Sequence, residues 1–200
     1  MRVREIEVAD MGAPSYETII DEASRMVEVL RGLSDSFRSV SRLLIDTLQN
    51  GGKVLTAGNG GSAAEAMHMA EELSGRYHAD RKALPGLALC ADGTALTCIG
   101  NDYGFDRIFA RQVEAFGKEG DVLVLFTTSG NSANLLAAAE AAKERGIKVV
   151  ALTGRGGGAL ATLADYNLDI SGVGGAHVQE GHQILLHAFF EQIDAAFTEG

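Results

Sequence analysis

The sequence predicts an α/β protein whose parallel β-sheet is covered by helices on both faces. Three observations carry that expectation. Short apolar runs without polar alternation (KVLTA, DVLVLF, KVVAL) read as strands buried on both faces. Longer segments with helical apolar spacing separate them, as crossover connections between parallel strands require. The 200 residues, 46% hydrophobic and 22% charged, suffice for one domain with its own core.

Taken in order, Met1 to Ser15 has no clear period and reads as a leader (1–15) ahead of a single domain over 16–200. Tyr16 to Arg31 (Ile19, Ile20, Ala23, Met26, Val27, Leu30) and Asp35 to Gln49 (Phe37, Val40, Leu43, Leu44, Leu48) predict two antiparallel helices joined near Gly32 to Ser34. Lys53 to Ala57 is the first strand, Gly58 to Gly61 a tight turn, and Ala63 to Gly75 a helix of strong formers with Gly75 as its C-cap. Strands follow at Gly86 to Cys90, Asp121 to Phe126, Lys148 to Leu152 and Tyr166 to Ile170. Helices are expected at Thr94 to Ile99, Phe105 to Phe116, Ala133 to Arg145, Ala159 to Ala164 and His177 to Phe197. Ligands of such sheets bind outside the carboxyl ends of the strands.

Two turns at strand ends have the chemistry of a phosphate cradle. Gly58, Asn59, Gly60 and Gly61 allow close backbone approach, and Ser62 stands where a helix can begin and can cap its first turn. After DVLVLF, the run Thr127, Thr128, Ser129, Gly130, Asn131, Ser132 repeats the same logic, so that adjacent strands can hold one phosphate between them. Neither turn is a Walker loop or a dinucleotide fingerprint. Taken alone, the first is also explained as an ordinary tight strand-to-helix turn and the second as a capped helix start.

The helix after the first turn carries His68 and Glu72, four apart and therefore on one face, a spacing that offers two metal ligands or an acid and a base. A solvated surface pair has the same spacing. On the final helix Gln179 and His187 lie eight apart, about 80° round the axis, and can flank one pocket; a core or interface histidine is the other explanation of His187. His78, His177 and His182 read as surface histidines. Asn101 and Asp102 follow the short helix as turn residues that can reach sugar hydroxyls.

A net charge of -10 argues against a nucleic-acid surface, so a phosphate ligand must be held by amides and hydroxyls. Cys90 and Cys98 form no paired framework, which suits a reduced compartment. No apolar run approaches the length of a membrane span and no secretory signal is evident, so the chain is expected in the cytoplasm without membrane contact.

The segments AGNGGSAAEAMHMAEELSGRY, IGNDYGFDRIFARQVEA, GDVLVLFTTSGNSANLL and VQEGHQILLH closely resemble the phosphoheptose isomerases of the sugar isomerase (SIS) family. The resemblance runs from Tyr16 onward. It implies a three-layer, flavodoxin-like sandwich with a five-stranded parallel sheet, a homotetramer with sites at subunit contacts, and one zinc per subunit held by His68, Glu72, Gln179 and His187. The implied reaction interconverts sedoheptulose 7-phosphate and D-glycero-D-manno-heptose 7-phosphate through an enediol, with Glu72 and His187 as the acid-base pair, the first step toward nucleotide-activated heptose. Asn59, Gly60, Gly61, Ser62, Glu72, Asn101, Asp102, Thr127, Thr128, Ser129, Ser132 and Gln179 are the implied substrate contacts. The chain departs from the pattern at Gly172 to His177, which lacks the acidic and basic residues often found before the Gln-Glu pair, and at Thr127, where many relatives have serine. A non-enzymatic SIS protein that binds phosphosugars or a replication initiator is the rival reading; such initiator-binding relatives lack the acid-base pair that this chain keeps.

Overall fold

Alternate residues of the third strand face opposite ways, and both directions are apolar: Val122, Val124 and Phe126 enter one core, Leu123 and Leu125 the other. Only a sheet covered on both sides accommodates that pattern. The computed structural model describes residues 12–78 and 80–198. In chain order the elements are α1 (Tyr16–Arg31), α2 (Ser34–Gln49), β1 (Val54–Gly58), α3 (Gly61–Ser74), β2 (Gly86–Ala88), α4 (Gly93–Tyr103), a 3-10 turn (Phe105–Arg107), α5 (Ala110–Phe116), β3 (Val122–Phe126), α6 (Ala133–Glu144), β4 (Lys148–Gly154), α7 (Leu160–Leu163), β5 (Tyr166–Ile170) and α8 (Gly175–Phe197).

The five strands are all parallel and ordered β2-β1-β3-β4-β5. Helices α1, α2, α3 and α8 pack their apolar faces on one side through Met26, Leu44, Met69 and Phe189; α5, α6 and α7 cover the other through Val113, Leu135 and Leu160. The expected three-layer α/β sandwich is what the chain adopts. Chain order reverses across β1, with β2 on one side and β3 on the other, so the crevice at the carboxyl ends of β1 and β3 is the switch point where such sheets bind ligands. Among the described residues no helix is long and apolar enough to cross a membrane.

Several boundaries differ from the sequence expectation. Most of the proposed leader, residues 1–11, lies outside the described residues; Ser15 caps α1 by accepting from the Thr18 amide at 3.2 Å. The helix expected at Thr94 to Ile99 extends from Gly93 to Tyr103, because Asp92 accepts from the Thr94 and Ala95 amides and starts it while Gly104 (φ 88°) ends it. The segment Phe105 to Phe116 divides into a 3-10 turn and α5, a common way for an α-helix to begin. The last helix starts two residues before His177.

Gly58 is where β1 must bend into α3. A Cβ there would lie 2.2 Å from the Ser62 carbonyl oxygen and 2.5 Å from its carbon, backbone atoms that cannot move aside alone. At Gly93, by contrast, an added Cβ meets nothing within 4 Å. Gly58→Ala is therefore expected to lower the unfolding free energy by about 1–3 kcal/mol, whereas Gly93→Ala changes it by no more than about 0.5 kcal/mol. Urea melts of the two variants measure the contrast, and equal midpoints would show that the turn at Gly58 is not sterically fixed.

Candidate functional site

Gly58 pairs with Phe126 at the ends of β1 and β3, so the two hydroxyl- and glycine-rich turns leave the sheet side by side. A reciprocal amide pair ties them: Asn59 Nδ2 donates to Asn134 Oδ1 and Asn134 Nδ2 to Asn59 Oδ1, each at 2.9 Å. Between the turns is a cavity of about 110 Å³. Asn59, Ser62, Thr127, Thr128, Ser129, Ser132 and Gln179, all singled out in the sequence, line it with Phe126. That volume is well below the ~300–1,000 Å³ of drug-sized ligand pockets and suits one small anionic group.

The turn hydroxyls are braced from within. Thr127 Oγ1 accepts from the Ser129 and Gly130 amides at 3.3 and 3.1 Å, and Ser129 Oγ accepts from the Asn131 amide at 3.3 Å. Ser62 is not the cap expected of it: α3 begins one residue earlier, with Gly60 as N-cap, and Ser62 sits buried in the first turn. Neither α3 nor α6 has a side-chain cap at its N-terminus. Uncapped first-turn amides, together with the positive end of the helix dipole, favour an anion in the cavity.

Gln179, on the first part of α8, reaches over this turn and its Nε2 donates to Ser62 Oγ at 3.4 Å. A Cβ on Gly61 would come within 2.5 Å of that Nε2, so glycine leaves room for the amide. About two turns further along α3, His68 Nε2 stands 3.2 Å from Glu72 Oε1. Both groups are largely covered, with 31% and 13% of their side chains exposed. His68, Glu71 and Glu72 bring ligand atoms within 4.8 Å of one another, Glu71 from an exposed position. His187, from α8, sets its ring edge-on to that of His68 with centroids 5.3 Å apart. Its other side is stacked on Tyr77 at 5.8 Å. Burial, and then the neighbouring Glu191 and Glu72 carboxylates, push the Tyr77 phenol above its ordinary pKa.

Some expectations need correction. His187 is exposed on α8, so a core histidine does not explain it. His177 and His182 are buried, not on the surface. Glu22 from α1 and Glu180 enclose His177, with Glu180 Oε2 2.6 Å from its Nδ1. His182 faces inward beneath the cavity, its Nε2 donating to the Thr153 carbonyl at 3.3 Å and its Nδ1 3.6 Å from buried Glu65. Asn101 and Asp102 lie on the last turn of α4, exposed and bonded to each other, and neither lines the cavity.

Two residues were missed from sequence. Asn134 is buried and joins the two turns, and Gln183 places its amide oxygen 3.0 Å from His68 Nδ1. Gln183 stands midway between Gln179 and His187 at helical spacing, a signal visible in the sequence; Asn134 has only its place on the buried side of an alanine-rich helix.

Comparison with known proteins now bears on this geometry. A profile of the SIS domain matches residues 19–154. A phosphoheptose isomerase of Campylobacter concisus (strain 13826) is 49% identical over 165 residues, covering 82% of this chain and 87% of that protein. The solved structure of a phosphoheptose isomerase from Neisseria gonorrhoeae superposes with a TM-score of 0.83 at 42% identity, covering 90% of this chain and 96% of that one. The one from Francisella tularensis gives a TM-score of 0.85 at 35% identity, covering 95% and 100%. With cavity, helix pair and these likenesses in agreement, the chain belongs to the SIS-domain family and, within it, to the phosphoheptose isomerases.

Proposed function

We propose that the chain interconverts sedoheptulose 7-phosphate and D-glycero-D-manno-heptose 7-phosphate in the cytoplasm, at the start of activated-heptose synthesis. One observation carries the reading: α3 brings an uncapped anion-binding N-terminus to a hydroxyl-lined cavity and, about two to three turns on, His68 and Glu72. A sugar phosphate held by its phosphate between the two turns extends its other end along α3 and α8 toward His68, Glu72 and His187. Asn101 and Asp102 join the substrate only if a neighbouring subunit completes the site, which fits a homotetramer with sites at subunit contacts.

The isomerisation moves one proton between C1 and C2 of the sugar. From the ketose, a base removes a C1 proton, the electron pair forms the C1–C2 double bond of the enediol, and the C2 oxygen takes up a proton. The second half returns a proton to C2 while the C1 hydroxyl loses its own and becomes the aldehyde. Glu72 and His187 are the groups assigned to these transfers, because a carboxylate and an imidazole offer a base and an acid from opposite helices.

His68, Glu72, Gln179 and His187 are the residues that would hold zinc. Imidazole nitrogens and a carboxylate oxygen suit that ion, and the close approach of His68 Nε2 to Glu72 Oε1 supports the fit. Bound zinc supplies Lewis acidity to the sugar's carbonyl and hydroxyl oxygens.

Incubation of the purified chain with sedoheptulose 7-phosphate should yield the aldose, lose rate with chelator and regain it with zinc. Glu72→Gln is expected to lower kcat by about 10²–10⁴-fold with KM little changed. Binding of the sugar phosphate with no turnover would instead leave a phosphosugar-binding protein. Ser62→Ala is expected to act the other way. Loss of a hydrogen bond to a charged group raises KM by about tenfold or more while kcat holds, and an unchanged KM would remove Ser62 from the phosphate site.

A further inference from the structure

We infer that Gln183 is a positioning residue for His68: its amide oxygen holds the imidazole in the form protonated on Nδ1 and turns the Nε2 lone pair toward Glu72. The consequence for metal binding rests on the zinc reading above; the tautomer itself does not.

His68 Nδ1 lies 3.0 Å from Gln183 Oε1. An amide oxygen can only accept, so the proton of that bond is the imidazole's. A neutral imidazole bonded in this way keeps its lone pair on Nε2. That nitrogen faces Glu72 Oε1 at 3.2 Å, and an ionised carboxylate is also an acceptor. Two acceptors then point at one gap, an arrangement that a metal ion or a second ring proton relieves. In the other tautomer the Nε2 proton would occupy that gap and donate to Glu72, closing it. Histidine ligands of metals are usually oriented by a bond from their second nitrogen, and loss of such a partner typically costs about 10–100-fold in metal affinity. Gln183 reaches His68 from a different helix, half-buried on the same face of α8 as Gln179 and His187, so the bond also ties the orientation of the ring to the packing of α8 on α3.

The test compares the parent with Gln183→Leu, which keeps the bulk and removes the acceptor, and Gln183→Glu, which restores an acceptor. Nitrogen-15 NMR of the metal-free proteins at about pH 8, above the ordinary imidazole range, reads the His68 tautomer directly, and titration with zinc against a competing chelator reads affinity. The parent and the glutamate variant should show the Nδ1-protonated form; the leucine variant should lose it and bind zinc about 10–100-fold more weakly. An Nε2-protonated parent, or a leucine variant with the parent's tautomer and affinity, would overturn the role of Gln183 while leaving zinc binding intact. A parent that binds no zinc would overturn the metal reading alone, since the tautomer comparison is made without metal.

Discussion

Asp121 has a fully buried carboxylate that accepts from the Lys53 and Lys118 amides and from the Lys53 ammonium, fixing where β1 starts relative to β3. The register so set continues along the strands from Val54 opposite Val122 to Gly58 opposite Phe126. A slip of one residue would turn every strand side chain to the other core and would separate the two turns that Asn59 and Asn134 join. Because all strands are parallel, the cavity is placed from the far edge of the sheet, by a polar contact that never touches it.

At the other end of α3, Arg81 does for the helix what Asp121 does for the sheet. Its guanidinium is buried and donates to the carbonyls of Glu72 and Leu73 at 2.7 and 3.1 Å, groups that the end of a helix leaves without partners. Its Nε bonds to Asp194 of α8 at 2.8 Å, and Asp194 also accepts from the His78 amide. The backbone of Glu72 is thereby tied to α8 two turns beyond His187. Loss of one partner from such a buried pair costs about 3–5 kcal/mol, so the spacing between Glu72 and His187 is held by helix ends that do not move independently.

Much of this was legible in the sequence because local rules and tertiary packing agree there. The all-apolar strands left no solvent face, and the glycine turn next to β1 admits few other conformations. Failures came where a side chain's partner lies far along the chain. His182 sits at helical spacing from several polar residues and reads as exposed, yet its burial is decided by Glu65 and Thr153 on separate elements. His187 lies in an apolar stretch, but it is exposed on α8 with the rings of Tyr77 and His68 beside it. Asn101 and Asp102 were misplaced for a local reason, since α4 runs on from its Asp92 cap until Gly104, at φ 88°, ends it beyond them.

The polar residues of α3 and α8 form one seam. Both helices leave the carboxyl edge of the sheet and run in the same direction, and Ser62 meets Gln179 at their start. Three residues on in each helix, Glu65 meets His182, and three residues further along α3 His68 meets Gln183, the residue after His182, and faces His187. The middle pair is buried, with Glu65 Oε1 3.6 Å from His182 Nδ1, and sliding α8 along α3 would take the carboxylate away from that polar neighbour. The inner pair and the outer contacts thus share one alignment of α3 on α8, from Ser62 opposite Gln179 to His68 opposite Gln183.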